Sequence, residues 1–417
     1  MSIYSTEAIK TVEINAKTQN AYRCEFSLSH LDPDTVILPN MRLANVGCTV
    51  GTTATNYNAM LGAKSIIKSI HLYSGKTKID GQHDVGRWLA FNQLRNSNEL
   101  NRSVKQFSDC TQLGYAFNQQ GADKEVTVAP ALRLPCATTE AATGKATLQL
   151  VDVFPVLREL VVLDPMVFEN LRIVVEFQTK SLFVTELFNS VITPLVPILL
   201  IDQADRKAAG KNPSVVSWMA IENDRFNIDA VTVPAAPQVT SNTKRLNGFN
   251  NKNVNRIVIM TTFTDEDKYR ETDATDEDVD GIGPYASNAQ LQERFQIICN
   301  GSNRLPLEGL EGQGGQRKLA KLNDSWGKFN ITPFQNGLLL HNAGLVDTPG
   351  TVTQSQMDFF GCYLNQKVNS LDITYTRTSI PDGSYHTNYS NALTMIVYGE
   401  VPKAIQFGKG GFNVSYL

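Results

Sequence analysis

The chain has 417 residues, 42 % of them hydrophobic and 19 % charged, with a net charge of −3. That length holds two or more ordinary domains with full-sized cores, and the charge lies below the ~25 % of a typical soluble protein, as for a surface hidden against neighbours. The near-neutral balance, with no basic tract, argues against neutralising nucleic acid, and no stretch reaches the ~18 apolar residues of a spanning helix.

Taken in chain order, the first ten residues are polar and read as no secretory leader. Strand-like runs follow at 22–28 and 66–73, rich in Val, Ile, Phe and Tyr and bounded by Gly, Asn, Asp and Pro. Residues 84 to about 100 read as a helix: Asp84 can cap the first amides, and Val85, Trp88 and Leu89 give an apolar side. Residues 147–153 read as a strand. Leu171, Ile173, Val175 and Phe177 then alternate with Arg172, Glu176 and Gln178, the period of a sheet with one face in a core. The apolar segment from Val191 to Ile201 carries Pro194 and Pro197 and stops at Asp202, so it reads as a buried strand over 196–202. A polar stretch at 205–213 reads as a linker. Strands recur at 257–263, 295–299, 371–377 and 393–401, and a second helix is expected at 317–326. Such a series predicts an all-β chain with one or two short helices in loops.

The two halves echo one another. In the first, the strand at 171 precedes one at 196; in the second, the strand at 371 precedes one at 393. Upstream, Ile70-His71-Leu72-Tyr73 runs into Ser74-Gly75, and Ile297-Ile298-Cys299-Asn300 runs into Gly301-Ser302. Two matched series predict two similar β-sandwiches in tandem, over residues 1–208 and 209–417.

No motif calls for catalysis. Gly75-Lys76-Thr77 lacks the first glycine of a phosphate-binding loop, since position 70 is Ile, and its lysine reads as a solvated turn residue. Gly281-Ile282-Gly283-Pro284 follows an acidic loop rather than a strand, unlike a dinucleotide fingerprint. Asp276, Asp278, Asp280 and Gly281 match half of a calcium loop, but the twelfth position is Ser287. Nine acids between residues 265 and 280 read instead as a solvated, replaceable loop. The histidines (His30, His71, His83, His341 and His386) show no metal spacing, and His71 reads as a sheet residue. Trp88 reads as core. The cysteines (Cys24, Cys48, Cys110, Cys136, Cys299 and Cys362) form no C-x-x-C pair and read as buried free thiols. Catalytic, cofactor-binding and metal-binding residues are therefore expected to be none.

Five phrases carry a family resemblance. Asp152-Val153-Phe154-Pro155, Leu163-Asp164-Pro165 and the run from Glu169 to Phe177 resemble the end of the first jelly roll in double jelly-roll major capsid proteins of icosahedral DNA viruses, of the Polinton-like and virophage type. The run from Leu393 to Val401 resembles the last strand of the second, and Gly411 to Tyr416 resembles the tail. The resemblance implies two eight-stranded jelly rolls and a homotrimer that forms a pseudo-hexagonal capsomer in a virion shell assembled inside the host cell. Its implied partners are its own copies, neighbouring capsomers, and minor capsid and vertex (penton) proteins, with no specific nucleic acid binding and no membrane insertion. Another viral structural protein (vertex, fibre or minor capsid) and a carbohydrate-active β-sandwich are the competing readings.

Overall fold

The computed structural model describes residues 9–29, 31–49, 62–86, 88–89, 92, 146–179, 192–229, 238–264, 294–305, 360–379, 392–409 and 411–417. The expected helix at 317–326, the acidic loop at 265–280, the half calcium loop, Gly281 to Pro284, His30, His341, His386, Cys110, Cys136 and Trp326 lie outside these.

The first set of strands is β1 (Ile9–Asn15), β2 (Thr18–Asn20), β3 (Arg23–Ser27), β4 (Thr35–Ile37), β5 (Arg42–Val46), β6 (Cys48–Thr49), β7 (Ile67–Ser74), β8 (Thr77–His83), β9 (Ala146–Gln149), β10 (Leu171–Phe177), β11 (Thr193–Pro194) and β12 (Ile198–Asp205). They form two facing sheets, ordered β1-β12-β5-β9 and β2-β3-β10-β7-β8, with β11 pairing β6. The second set is β13 (Val215–Ile228), β14 (Gln238–Arg245), β15 (Asn253–Phe263), β16 (Arg294–Cys299), β17 (Ser302–Leu305), β18 (Phe360–Lys367), β19 (Leu371–Ser379), β20 (Leu393–Gly408) and β21 (Gly411–Tyr416). Its sheets run β13-β20-β15-β18 and β14-β19-β16-β17, with β21 on β20. With the short strands β2, β4, β6 and β11 and the C-terminal strand β21 set aside, each set keeps eight among the described residues. Ranked in chain order, these run first-eighth-third-sixth in one sheet and second-seventh-fourth-fifth in the other, in both sets. That is the jelly roll, twice.

Local chemistry explains the repeat. Alternate residues of β10 point inward, and Leu171, Ile173, Val175 and Phe177 are buried. Two-residue turns join the matching hairpins: Gly75-Lys76 between β7 and β8, and Asn300-Gly301 between β16 and β17. Gly75, Asn300 and Gly301 all have positive φ, as tight hairpin turns require. The Asn300 side chain also accepts from the Asn369 and Ser370 amides (2.7 and 3.0 Å), tying that turn to the start of β19. In both halves the amide after the second-ranked strand donates to the start of the seventh: Leu28 to Leu171 (2.8 Å), Leu246 to Leu371 (2.9 Å).

Several boundaries differ from the sequence reading. The strand expected at 147–153 stops at Gln149, and a tight turn (Leu150–Asp152) leads into the short helix α1 (Val156–Glu159). The strand expected at 393–401 runs on to Gly408 through Pro402. The ladder tolerates that proline because its carbonyl accepts from Leu417 (3.0 Å), so its ring nitrogen points the same way. There the flanking strand changes from β15, which ends its pairing at Glu400, to β21, which begins at Lys403. Val85, Gly86, Trp88, Leu89 and Asn92 are helical, and Val85, Trp88 and Leu89 are buried. Asp84, however, adopts φ 49° rather than the extended backbone of an N-cap. The stretch read as a linker is fastened down. The Asn212 side chain bonds Val161 and Val162 at 2.7–3.1 Å, and Arg206 pairs with Asp164 at 2.9 Å. Cys24, Cys48, Cys299 and Cys362 are buried, and burial pushes the Cys24 thiol up to about 12.

Gly81 of β8 lies opposite His71 with φ 109°, and a Cβ there would stand 2.2 Å from the Ile70 carbonyl oxygen. Gly81→Ala is expected to cost about 3 kcal/mol from backbone strain and collision. At Gly75 a Cβ would meet nothing, so Gly75→Ala is expected to cost about 1 kcal/mol from its positive φ alone. Urea unfolding of the two variants measures the difference as midpoints shifted at unchanged slope.

Candidate functional site

The place where unlike surfaces meet in this chain is the junction between the two sandwiches. β13 and β20 have 14 and 16 residues and pair along residues 215–228 and 393–406. One stretch of β20 pairs β15 within its own sandwich, and the rest carries β21. This overhang packs on the first sandwich. Phe407 and Phe412 close on Phe168, with ring centroids 5.8 and 4.7 Å apart. Farther along, the Tyr398 ring lies 5.5 Å from Trp88. A single buried apolar cluster therefore runs through both halves.

Directional bonds set the angle of the joint. Tyr398 Oη donates to the Asp84 carbonyl (2.8 Å), and Asn223 Nδ2 donates to the His83 carbonyl (2.9 Å). Arg225 pairs with Asp84 at 3.6 Å. A cleft of about 270 Å³ opens beside them, lined by Lys68, His83, Asp84, Asn223, Asp224 and Arg225.

Beneath lies a charged cluster. Glu222 of β13 pairs with Lys403 of β20, and Lys252 Nζ stands 3.9 Å from the same carboxylate. Tyr416 Oη donates to Glu222 at 3.4 Å, and the Lys252 and Lys403 ammoniums sit over its ring at 4.7 and 4.9 Å. Burial alone would raise the Glu222 carboxyl, but the ammoniums of Lys403, Lys252 and Lys78 hold it below its usual value. From the first sandwich, Lys78 and His71 fall within the field of Glu222. Burial lowers Lys78. Burial, then the charges of Lys78 and His83, press His71 down to about 3, against the opposing pull of Glu222.

Asp80, on β8, is pushed up to about 6 by burial, although the Val156 and Gly81 amides donate to its carboxylate at 3.0 and 2.9 Å. Those bonds pin α1 to the sheet. The role is a strut, since both oxygens are already engaged by backbone. Among the described residues, no group of three or more His, Cys, Asp or Glu could hold a metal ion.

His71 is a buried sheet residue, Trp88 is core, and Gly75-Lys76 is a hairpin turn, each as read from the sequence. Glu222, Lys252, Lys403, Tyr416 and Phe168 escaped that reading. Nothing local marks them, because their partners lie up to 244 positions away, as Phe412 does from Phe168.

Glu222→Leu strands the Lys403 ammonium, whose side chain is 5 % exposed, and is expected to cost about 3 kcal/mol. The double variant Glu222→Leu with Lys403→Met should recover most of that loss in a double-mutant cycle read by urea unfolding.

The fold matches solved viral structures along nearly the whole chain. It is similar to a chain of the Sputnik virophage determined by cryo-EM (TM-score 0.56, 11 % identity, 98 % of this chain and 88 % of that one). It is also similar to a chain of the PBCV-1 virus capsid (TM-score 0.53, 11 % identity, 98 % and 97 %). A third match is the mavirus major capsid protein (TM-score 0.50, 8 % identity, 99 % and 90 %). At these identities the likeness is one of fold. No protein-family model matches the sequence, and no curated protein matches it in sequence.

Proposed function

We propose that this chain is the major capsid protein of an icosahedral DNA virus and that three copies assemble into a pseudo-hexagonal capsomer. The observation that carries the reading is the pair of jelly rolls with one strand order, matched over 98–99 % of the chain by structures that include a virus capsid and a major capsid protein. Two like sandwiches per chain give six in a trimer, so threefold symmetry produces an outline close to sixfold, and such blocks tile a shell.

The same reading assigns the remaining features. The units divide between residues 208 and 209, which the change of sheets between Asp205 and Val215 supports. The chain's partners are its own copies and neighbouring capsomers, with minor capsid and vertex proteins at the shell's special positions. Its place is the virion, and its role needs no catalytic residue or cofactor. The rigidity of the double sandwich suits a shell, because flat-sided β-sandwiches pack laterally while their end loops vary freely.

Three copies of the 46.0 kDa chain weigh about 138 kDa. Light scattering of the purified protein is expected to give that mass, held through dilution by interfaces of roughly 2,000 Å² or more. Electron microscopy is expected to show triangular blocks with hexagonal outlines. A monomer at every concentration, with no such block in the images, defeats the proposal.

A further inference from the structure

Among the described residues, His71 is a buried titratable group whose ring nitrogens the fold leaves without a partner. It lies on β7, 4 % exposed, and neither ring nitrogen has a hydrogen-bond partner. Its ring meets the His83 ring edge-on at 4.6 Å and the Tyr73 ring at 5.9 Å. A buried polar group without a partner costs stability. A fold that buried it only for packing would do better with an apolar residue.

We propose that the contact between the two sandwiches is acid-labile, and that His71, buried beside it against His83 with both ring nitrogens unpartnered, is the group that makes it so. Burial sets the direction, and the charged groups around the ring add to it. From its own sheet, Lys78 and His83 repel a proton on the ring, and Arg172 sits over Tyr73 at 4.9 Å. From the second sandwich the carboxylate whose charge acts on it is Glu222, already engaged by Lys403, Lys252 and Tyr416. An imidazolium at His71 would thus enter a dry site with cations beside it and a carboxylate already shared. Opening the junction lets water reach the ring, so acid favours the open form.

The sign follows from linkage. His71 is held down to about 3 in the closed form, against 6.5 when hydrated. Its contribution to closure is complete above pH 6.5 and is lost progressively as pH falls towards 3. At pH 5 the opening equilibrium should exceed its value at pH 8 about thirtyfold. Asp80 works in the opposite sense, since a raised carboxyl favours the fold in acid. Its bonds to Val156 and Gly81 lie within the first sandwich, so it enters global unfolding and leaves junction opening alone.

Hydrogen exchange of the full chain, corrected for the intrinsic pH dependence of exchange, tests this at pH 8 and pH 5. Wild type should show the thirtyfold rise in opening at β8 and β13, with β10 and β19 unchanged. His71→Phe, which keeps a ring in the stack and removes the proton site, should abolish the rise, whereas His83→Gln should retain it. Equal pH dependence in wild type and His71→Phe, or no rise in wild type, overturns the proposal. Should His71→Phe fail to fold, the NMR titration of the His71 ring in wild type decides: a midpoint below pH 4 supports the proposal, and one at 6 or above refutes it.

Discussion

The structure depends on one strand that serves two cores. β20 is flanked by β13 along most of its length, and by β15 and then β21 on the other side. Between Leu393 and Ile405 nearly every residue is buried, including Glu400 and Lys403. A strand covered on both faces reads as a continuous apolar run rather than an alternation, and Met395 to Val401 has that character. Its first part closes the second sandwich over Phe249, and its last part reaches Phe168 of the first. A mobile linker would leave two independent domains. A shared strand makes their relative position part of folding.

Apolar contact and directional bonding divide the work at that joint. Phe168, Phe407 and Phe412 exclude water, but ring packing alone admits many angles. Tyr398 to Asp84 and Asn223 to His83 select one, because hydrogen bonds weaken steeply when misaligned. The junction also covers two sheet edges, β8 and β13, which would otherwise offer unpaired amides to other chains. The cost is a set of buried charges around Glu222, and it is there that the joint becomes sensitive to protons.

Fold likeness at 8–11 % identity has a simple physical basis. A jelly roll asks for inward apolar residues at every second position and for positive φ at a few turns. Asn300-Gly301 and Gly75-Lys76 meet the same turn requirement with different residues. Many sequences satisfy such conditions, so strand order persists while residue identity drifts.

The all-β class, the tandem repeat and most strands with a clear period were legible in the order of residues alone. The alternation at Leu171 to Phe177 and the paired hairpins at Gly75 and Gly301 depend only on near neighbours. The burial of Trp88, and of Cys24, Cys48, Cys299 and Cys362, was legible for the same reason. The junction was not. In β13, Glu222-Asn223-Asp224-Arg225 carries no apolar period, and its ladder with β20, from far along the chain, makes it a strand. Pro402 reads as a strand end, and only the handover from β15 to β21 leaves room for it. The seclusion of His71 was equally out of reach. Its neighbour Glu222 arrives from 151 positions along the chain, and no local pattern encodes a contact between sheets of different sandwiches.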